Sequence, residues 1–266
     1  MDVVSKLDLL AQDAQYDLAC ACGTSDPADH RQRGRDGNWL YPVTVPGGGT
    51  GIMLKTLVTN ACSSDCGYCP LRSGGKSNRV HIAPEELASI FLDICRRKSL
   101  IGLFISSGIL DTPDRSMQLL TDTAAILRYR YHYRGYIHIK IIPGASDAAI
   151  ESALSLASAV SLNIETPGDR FFSKLSQAKH YPPDIIEPMR KISSLTGKGG
   201  KYSRVKTSTQ FIVGAADERD ADILPYMWGL YDRLKFGRIY FSSYQKGLGL
   251  QTIPGEAACG GGGDPF

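Results

Sequence analysis

The sequence predicts an α/β fold, an open (β/α)6 barrel that forms a partial TIM barrel of parallel strands. From Ile52 onward, short apolar runs of strand type alternate with amphipathic segments of helical length. This alternation favours a parallel sheet, because a helix must carry the chain back between neighbouring parallel strands. Six such strand runs, the first leading into a cysteine-bearing loop, favour an open barrel, although periodicity alone does not separate it from a flat doubly wound sheet.

The predicted elements follow one another in strict order. The strands are Met53–Val58, Gly102–Ser106, Tyr136–Ile142, Ala159–Ile164, Lys206–Val213 and Arg238–Ser242. The helices between them are Pro84–Lys98, Asp114–Tyr131, Asp147–Leu156, Pro183–Leu195 and Asp217–Lys235. Pro84 followed by two glutamates is typical of a helix start, since proline suits the first turn and acids suit the positive end of the helix dipole.

The two ends of the chain differ from this regular part. Residues 3–16 place apolar side chains at helical spacing and predict a short helix, whereas the composition of residues 20–50 predicts a loop. We therefore divide the chain into an N-terminal helix and loop extension (1–50), a core domain (51–245) and an irregular C-terminal tail (246–266) that contains four consecutive glycines.

Composition excludes several classes of protein. The chain has 266 residues with 42% apolar and 21% charged side chains, which is ordinary for a globular protein, and its net charge of +3 neither requires nor excludes a nucleic-acid partner. Seven cysteines are too few for a disulfide scaffold and favour a reducing cytoplasm. The N-terminal stretch carries acids, unlike a signal peptide, and no run approaches the ~18 apolar residues of a membrane helix. We expect a cytoplasmic protein without membrane contact.

One loop carries the chemistry. Cys62, Cys66 and Cys69 lie in TNACSSDCGYCP, residues 59–70, at the spacing C-x-x-x-C-x-x-C. Their odd number and the short loop argue against a disulfide framework, whereas three thiolates can surround a metal centre. We interpret them as ligands to three irons of a [4Fe–4S] cluster whose fourth iron stays open. The alternative is a zinc- or iron–sulfur-stabilised binding domain, with Cys20 or Cys22 as a fourth ligand.

The same loop carries a family resemblance. With Tyr68 at its aromatic position, CSSDCGYC resembles the radical S-adenosylmethionine (SAM) signature C-x-x-x-C-x-aromatic-C. The segments LFISSG, GYIHIKIIPGAS and SLNIE extend the resemblance, over most of residues 1–245, to putative DNA modification or repair radical SAM proteins, often linked to uracil-DNA-glycosylase-like partners. Because members of that family are longer, we expect this chain to be cut short or diverged after the sixth strand.

The resemblance implies an enzyme of the radical SAM fold type with two cofactors, a [4Fe–4S] cluster and S-adenosylmethionine. It implies that Cys62, Cys66 and Cys69 bind three irons, that SAM binds the fourth, and that its reductive cleavage yields a 5′-deoxyadenosyl radical. The radical takes hydrogen from a substrate that is unknown, with nucleic acid or a nucleotide as candidates. The implied partners are a reductant such as flavodoxin or ferredoxin and a uracil-DNA-glycosylase-like protein. Backbone amides around Gly67 are expected to donate to cluster sulfurs.

The resemblance also places SAM contacts at the strand ends, where ligands gather in parallel barrels. Tyr68 lies beside the cluster ligands. Ser106, Ser107 and Gly108 end the second strand where the superfamily usually has Gly-Gly-Glu, so carbonyls and hydroxyls must replace the missing acid. A plain strand-to-loop turn is the alternative for this segment.

The fourth and fifth strands supply the remaining candidates. Asn163 and Glu165 share one strand face, either to contact SAM or to form an internal hydrogen-bond network. Ile212, Gly214 and Asp217 resemble an adenine-binding I-x-G-x-x-E segment with Asp in place of Glu, although a helix cap at Asp217 explains the same residues.

Three further features are candidates for substrate contact. His138 and Lys140 share one face of the third strand, which in a barrel can be the interior. Residues 179–206 carry a net charge of +5, and residues 128–136 interleave bases with aromatic side chains. Such segments suit single-stranded or flipped bases, but solvated charge at helix ends explains them equally well.

Overall fold

The computed structural model describes residues 1–16, 32–33, 39–44, 48–75 and 77–257. Cys20 and Cys22, for which the sequence left a metal-binding role open, lie outside these residues, as does Cys259.

A curled half-barrel of parallel strands forms the centre of the described chain, as the alternation predicts. Its sheet contains eight strands in chain order: β1 (Gln32–Arg33), β2 (Trp39–Thr44), β3 (Thr50–Leu57), β4 (Leu100–Ser106), β5 (Tyr136–Lys140), β6 (Ala159–Ser161), β7 (Lys206–Val213) and β8 (Arg238–Ser243). All neighbours from β3 to β8 pair in parallel. These six strands are the predicted ones, with ends that differ by up to three residues.

Helices connect the parallel strands, again as predicted. They are α1 (Val3–Asp13), α2 (Pro84–Arg97), α3 (Pro113–Ala125), α4 (Asp147–Leu156), α5 (Asp169–Phe172), α6 (Glu187–Thr196), α7 (Asp220–Asp232) and α8 (Pro254–Ala257). Wider π-helical turns at Ile126–Arg130 and Tyr181–Ile186 extend α3 and precede α6. Side chains cap two of the starts: Thr112 accepts from the Arg115 amide before α3, and Ser146 accepts from the Ala149 amide before α4.

The prediction of a loop throughout residues 20–50 is wrong for two segments. β1 and β2 add antiparallel strands in front of β3. Leu40 and Tyr41 of β2 are buried, and the Tyr41 hydroxyl donates to the Ala11 carbonyl of α1 over 2.9 Å. The sequence pattern could not show this strand, because its stability comes from packing between α1 and β3.

The two faces of the parallel strands differ in chemistry. The core between strands and helices is apolar and includes Ile139 of β5, Val160 of β6 and Phe211 of β7. Alternate residues on the same strands, among them His138 and Ser161, are buried polar side chains that face the barrel interior. The helices therefore bury one face of each strand, and a polar interior remains on the other.

The segment after β8 folds back over the cysteine loop. The Leu250 amide donates to the Gly67 carbonyl over 2.7 Å, and Arg72 donates to the Leu248 carbonyl over 3.1 Å. Ile253 is buried in a small cluster with Phe171 and Leu175. This part of the irregular tail thus covers the residues around the second and third cysteines.

Within the described residues, no helix has both the length and the apolar run that crossing a membrane requires.

Replacing Leu103, fully buried in β4, with Ala should lower the free energy of unfolding by about 2–5 kcal/mol, because a cavity adds to the lost transfer energy. Urea unfolding of the cluster-free protein measures this change. Leu224→Ala is the matched control, since Leu224 is 55% exposed and should change stability by less than about 0.5 kcal/mol. Equal effects of the two substitutions would contradict the core assignment.

Candidate metal centre and barrel interior

The cysteine loop begins at the carboxyl end of β3 and is held there by Thr59 and Asn60. The Thr59 hydroxyl donates to the Val80 carbonyl over 2.9 Å. The buried Asn60 side chain donates to Asp13 and to the Asn78 carbonyl, both over 2.7 Å, and accepts from the Val80 amide. These bonds fix the start of the loop against α1 and the segment before α2, so the first cysteine leaves the sheet in a defined direction.

Gly108, at the end of the second parallel strand, lies directly against the loop. A Cβ here would clash with the Ala61 carbonyl oxygen and would lie 3.1 Å from the Cβ of Cys62. The Gly108 amide donates to the Thr59 carbonyl over 2.8 Å. Glycine at this position therefore lets β4 approach the first cysteine, a steric role that the SSG sequence did not reveal.

Polar groups surround the thiols. The Lys179 ammonium lies 3.0 Å from Cys66 Sγ, and the Ser64 hydroxyl lies 3.2 Å from the same sulfur. The Ile109 amide donates to Cys62 Sγ over 3.3 Å. The expectation that the Gly67 amide donates to a sulfur is wrong, because it donates to the Leu175 carbonyl over 2.6 Å. The amide contact to Cys62 comes from the loop after β4 instead.

The thiols of the loop affect one another. Burial, followed by the neighbouring Cys66, raises the pKa of the Cys69 thiol to about 12, although the Leu71 amide and Lys179 act in the opposite direction. A thiolate at this position therefore requires more positive charge than the chain itself provides. Metal ions supply that charge, and their binding removes the thiol protons.

Lys179 is held beside Cys66 by a carboxylate within the loop. Asp65 accepts hydrogen bonds from the Ser176 hydroxyl and from the amides of Gln177 and Ala178, the last two over 2.8 and 3.1 Å. Burial alone would raise the pKa of the Asp65 carboxyl, but these bonds lower it overall. Neither Asp65 nor Lys179 was predicted as a site residue, because the residues they bring together lie more than a hundred positions apart in sequence.

The ammonium of Lys179 responds to the same surroundings. Burial lowers its pKa, but the nearby Cys66 and Glu165 raise it, and the net change is upward. Lys179 therefore carries its positive charge at neutral pH and stabilises negative charge on Cys66.

Glu165 and Tyr68 connect the loop to the barrel interior. Tyr68 donates a hydrogen bond to Glu165, and burial, then Glu165 and Cys66, raise the pKa of the Tyr68 hydroxyl well above its usual range. Glu165 is buried and adopts a φ of 62°, a left-handed conformation that costs a non-glycine residue energy. The Asn163 amide donates to Glu165 over 3.5 Å. The structure thus brings three of the predicted residues together.

The other predicted residues line the same edge. Ser106 is buried at the end of β4, and the Ser107 hydroxyl donates to the Gly108 carbonyl over 2.6 Å. Ile212 packs with Tyr68 in the small cluster around Phe171. Gly214 has a φ of 85°, and within the described residues no atom lies within 4 Å of a Cβ built there. All of these positions lie near the carboxyl ends of their strands, where the resemblance places SAM.

The carboxylate of the I-x-G-x-x-E segment is displaced by one residue. Asp217 is exposed and lies 3.7 Å from Lys174, whereas Glu218 accepts from the amides of Gly214 and Ala216. Helix α7 begins at Asp220 with Arg219 at its cap, so Asp217 does not cap the helix. Glu218 therefore shapes the loop that the sequence assigned to Asp217.

His138 and Lys140 face the barrel interior, as the strand alternation allows. His138 Nε2 lies 2.8 Å from the Ser161 hydroxyl, and Lys140 donates to Asn163 Oδ1 over 2.7 Å. Both side chains are 8% exposed. They belong to an internal polar network that reaches Glu165 through Asn163.

The basic segments lie mainly at the opposite edge. Residues 126–135 follow α3 and lead into the start of β5, and residues 197–205 lead into the start of β7. Arg128 donates to the carbonyls of Leu156, Tyr133 and Gly135, so this arginine holds the turn together. Strand starts and strand ends lie on opposite sides of a parallel sheet, so these two stretches are separated from the cysteine loop.

The donor set fits an iron–sulfur cluster. Three thiols share one loop, Lys179 offsets negative charge, and amides of Ile109 and Leu71 contact the sulfurs. Among the described residues, no three His, Cys, Asp or Glu side chains converge on the position of a single metal ion. A cluster does not require that convergence, because each thiolate binds a different iron.

Comparisons with known proteins support the fold. No protein-family model matches the chain, and no curated protein does. The solved structure of methylornithine synthase (PylB) matches with a TM-score of 0.58 at 13% identity, covering 77% of this chain and 56% of that one. HydG, a maturase of the [FeFe]-hydrogenase, matches with a TM-score of 0.57 at 14% identity, covering 74% and 44%. HydG from Carboxydothermus hydrogenoformans gives 0.58 at 13%, covering 73% and 44%.

These matches confirm the predicted fold class, a partial TIM barrel of the radical SAM type. At such identities they show the fold alone. The chain spans about half the length of the structures it matches, 56% of the first and 44% of the second.

Replacing Asp65 with Ala should lower the free energy of unfolding by about 1–3 kcal/mol, because the hydroxyl and two amides of residues 176–178 lose their acceptor. Urea unfolding of the cluster-free protein measures the loss. Asp232→Ala serves as the control, since Asp232 forms only a surface ion pair with Lys235 at 3.8 Å. If both variants unfold at the wild-type urea concentration, Asp65 does not hold this segment.

Proposed function

We propose that the chain is a radical SAM enzyme. One observation carries the proposal: three thiols at the spacing C-x-x-x-C-x-x-C occupy one loop at the carboxyl-end edge of a partial barrel, facing polar residues of the neighbouring strands. The signature and the fold support each other, because the loop stands at the edge of the barrel where ligands bind. Matches to solved structures support the fold part of this argument.

Cys62, Cys66 and Cys69 would hold a [4Fe–4S] cluster, and SAM would complete its open iron. When bound, these cofactors supply a 5′-deoxyadenosyl radical that removes a hydrogen atom from the substrate. The electron comes from a reductant, for which we propose a flavodoxin or a ferredoxin. The thiolates require a reducing compartment, consistent with the cytoplasmic location that we propose.

The chain's own residues orient and enclose the site. Lys179 stabilises negative charge at Cys66, and the Ile109 amide does the same at Cys62. Glu165, Asn163 and Ser107 supply carboxylate, amide and hydroxyl groups for the polar parts of SAM. Ile212 and Gly214 provide an apolar surface and an open backbone for its adenine. Residues 248–253 cover the loop and limit its contact with water.

Nucleic acid or a nucleotide, modified or repaired by hydrogen removal, is the finer proposal that the family resemblance supports. The same resemblance supports a uracil-DNA-glycosylase-like partner. The surface charge gives this proposal little help, because residues 128–136 and 197–206 lie toward the starts of the strands. A nucleotide would have to be recognised inside the barrel.

Anaerobic reconstitution tests the proposed function. The wild-type protein should bind four irons per chain and absorb broadly near ~400 nm, and dithionite with SAM should then yield 5′-deoxyadenosine. Cys66→Ala should remove both the absorption and the product, because the loop loses one of its three cluster ligands.

Cys95→Ala is the matched control. Cys95 lies half-buried on α2, where burial raises the pKa of its thiol to about 11, so it should not affect iron content. A colourless wild-type protein with one tightly bound zinc would instead support the zinc-stabilised binding domain. A fully loaded cluster that produces no 5′-deoxyadenosine would contradict enzyme activity.

A further inference from the structure

The buried charges of the described chain lie inside the barrel. Among the buried side chains that carry a formal charge at neutral pH are Lys55, Lys140 and Glu165, two positive and one negative, with His138 beside them. Lys55 lies over the rings of Tyr41 and Phe104, 5.5 and 5.0 Å from their centroids. Burying charge is costly unless opposite charge balances it. An interior with this excess of positive charge favours an anionic ligand.

The cationic layer lies below the strand ends. Lys55 is aligned with Phe104, and Phe104 with His138, and each stands two residues before the end of its strand. The Phe104 and His138 rings lie 4.4 Å apart. The cysteine loop and Glu165, by contrast, follow the strand ends. Lys55 and His138 are therefore placed deeper than the residues proposed to bind SAM.

A second observation indicates a ligand at the same depth. Gln210 of β7 is 4% exposed and shares the inner face of the barrel, since its neighbours Thr209 and Phe211 face the other way. Its Nε2 donates to the Ser242 hydroxyl over 2.9 Å, but its Oε1 is buried without a hydrogen-bond partner. Rotating the amide would only exchange the two ends, because a hydroxyl can bond to either. A buried polar atom of this kind requires a partner.

We propose that this interior, formed by Lys55, His138 and Gln210, is the substrate site, and that it takes a small free molecule with an anionic group and an N–H or O–H donor. The inference rests on the proposed function, since it names the substrate class of that site. Lys55 and His138 bind the anionic oxygen atoms, and Gln210 Oε1 accepts the donor. The carboxylate of an amino or hydroxy acid and the phosphate of a mononucleotide share this chemistry.

Burial favours a small molecule over a polymer. The three side chains are all 8% exposed or less, enclosed by strands on one side and by the cysteine loop above. A polynucleotide would also need a basic surface beside the entrance to hold its backbone. The two basic stretches at residues 128–136 and 197–206 lie toward the opposite edge.

Equilibrium dialysis with mass spectrometry tests the proposal. Full-length protein, with cluster and excess SAM and separately without both, is dialysed against three probes: a mixture of L-amino acids and α-hydroxy acids, a mixture of nucleoside monophosphates, and a mixed-sequence single-stranded oligonucleotide. The wild-type protein should retain a component of one small-molecule mixture. The retained mixture distinguishes a carboxylate from a phosphate.

Substitutions connect retention to these residues. Gln210→Leu and Lys55→Met should each weaken retention at least tenfold, Lys55→Arg should recover part of it, and Gln118→Leu on the exposed face of α3 should leave it unchanged. Without ligand, Gln210→Leu should keep or raise the urea midpoint, because it removes a buried unpartnered acceptor. A lowered midpoint with unchanged retention would show that Gln210 is structural and overturn the proposal.

Other outcomes also overturn it. Retention of the oligonucleotide alone, or of no small molecule in either state of the protein, contradicts a small-molecule site. Loss of SAM rather than of the retained molecule in Lys55→Met assigns the charge to the cofactor. Failure of the proposed function is distinguishable, because it appears as missing iron and missing 5′-deoxyadenosine. The cluster-free arm still tests the interior in that case, since none of its three residues is a proposed cluster ligand.

Discussion

Each parallel strand of this protein has two faces, and helices cover only one of them. Isoleucine, leucine and valine side chains fill the space between sheet and helices, and this packing supplies the hydrophobic stabilisation of the fold. Because that face satisfies the hydrophobic requirement, the inner face can carry lysine, histidine, asparagine and glutamine. The site depends on this separation. A half-barrel with an apolar interior would have the same strand order but no groups to bind a polar ligand.

The burial of polar groups brings an electrostatic cost, and the cysteine loop shows how the chain distributes it. The enclosed thiol of Cys69 resists ionisation, and Lys179 offers partial compensation at the adjacent Cys66. Asp65 holds the segment that carries Lys179, so a carboxylate within the loop fixes the position of a cation outside it. The remaining charge must come from the iron of a bound cluster. The folded chain thus favours metal binding at the loop without completing the charge balance itself.

Parts of this arrangement were predictable because they depend on neighbours in sequence. Cysteine spacing, strand alternation and the faces of Asn163, Glu165, His138 and Lys140 follow from local geometry. Lys179, Asp65 and Glu218 were not predicted as site residues. The first two act across a long sequence separation, and the third replaces the expected Asp217 because the loop places its carboxylate beside the Gly214 and Ala216 amides. The steric need for Gly108 likewise appears only when two strand ends meet.

The amino-acid sequence by itself determined the order of the six parallel strands and their helices, and it placed the cysteine loop after the first of them. These features arise from the period of apolar residues and from turn-forming residues, which act over short distances. Only the tertiary structure decided that β2 pairs with β3, that the tail covers the cysteine loop, and that Gln210 is buried beneath it with an acceptor left for a ligand. Those outcomes depend on contacts between distant segments, whose energies no local pattern contains.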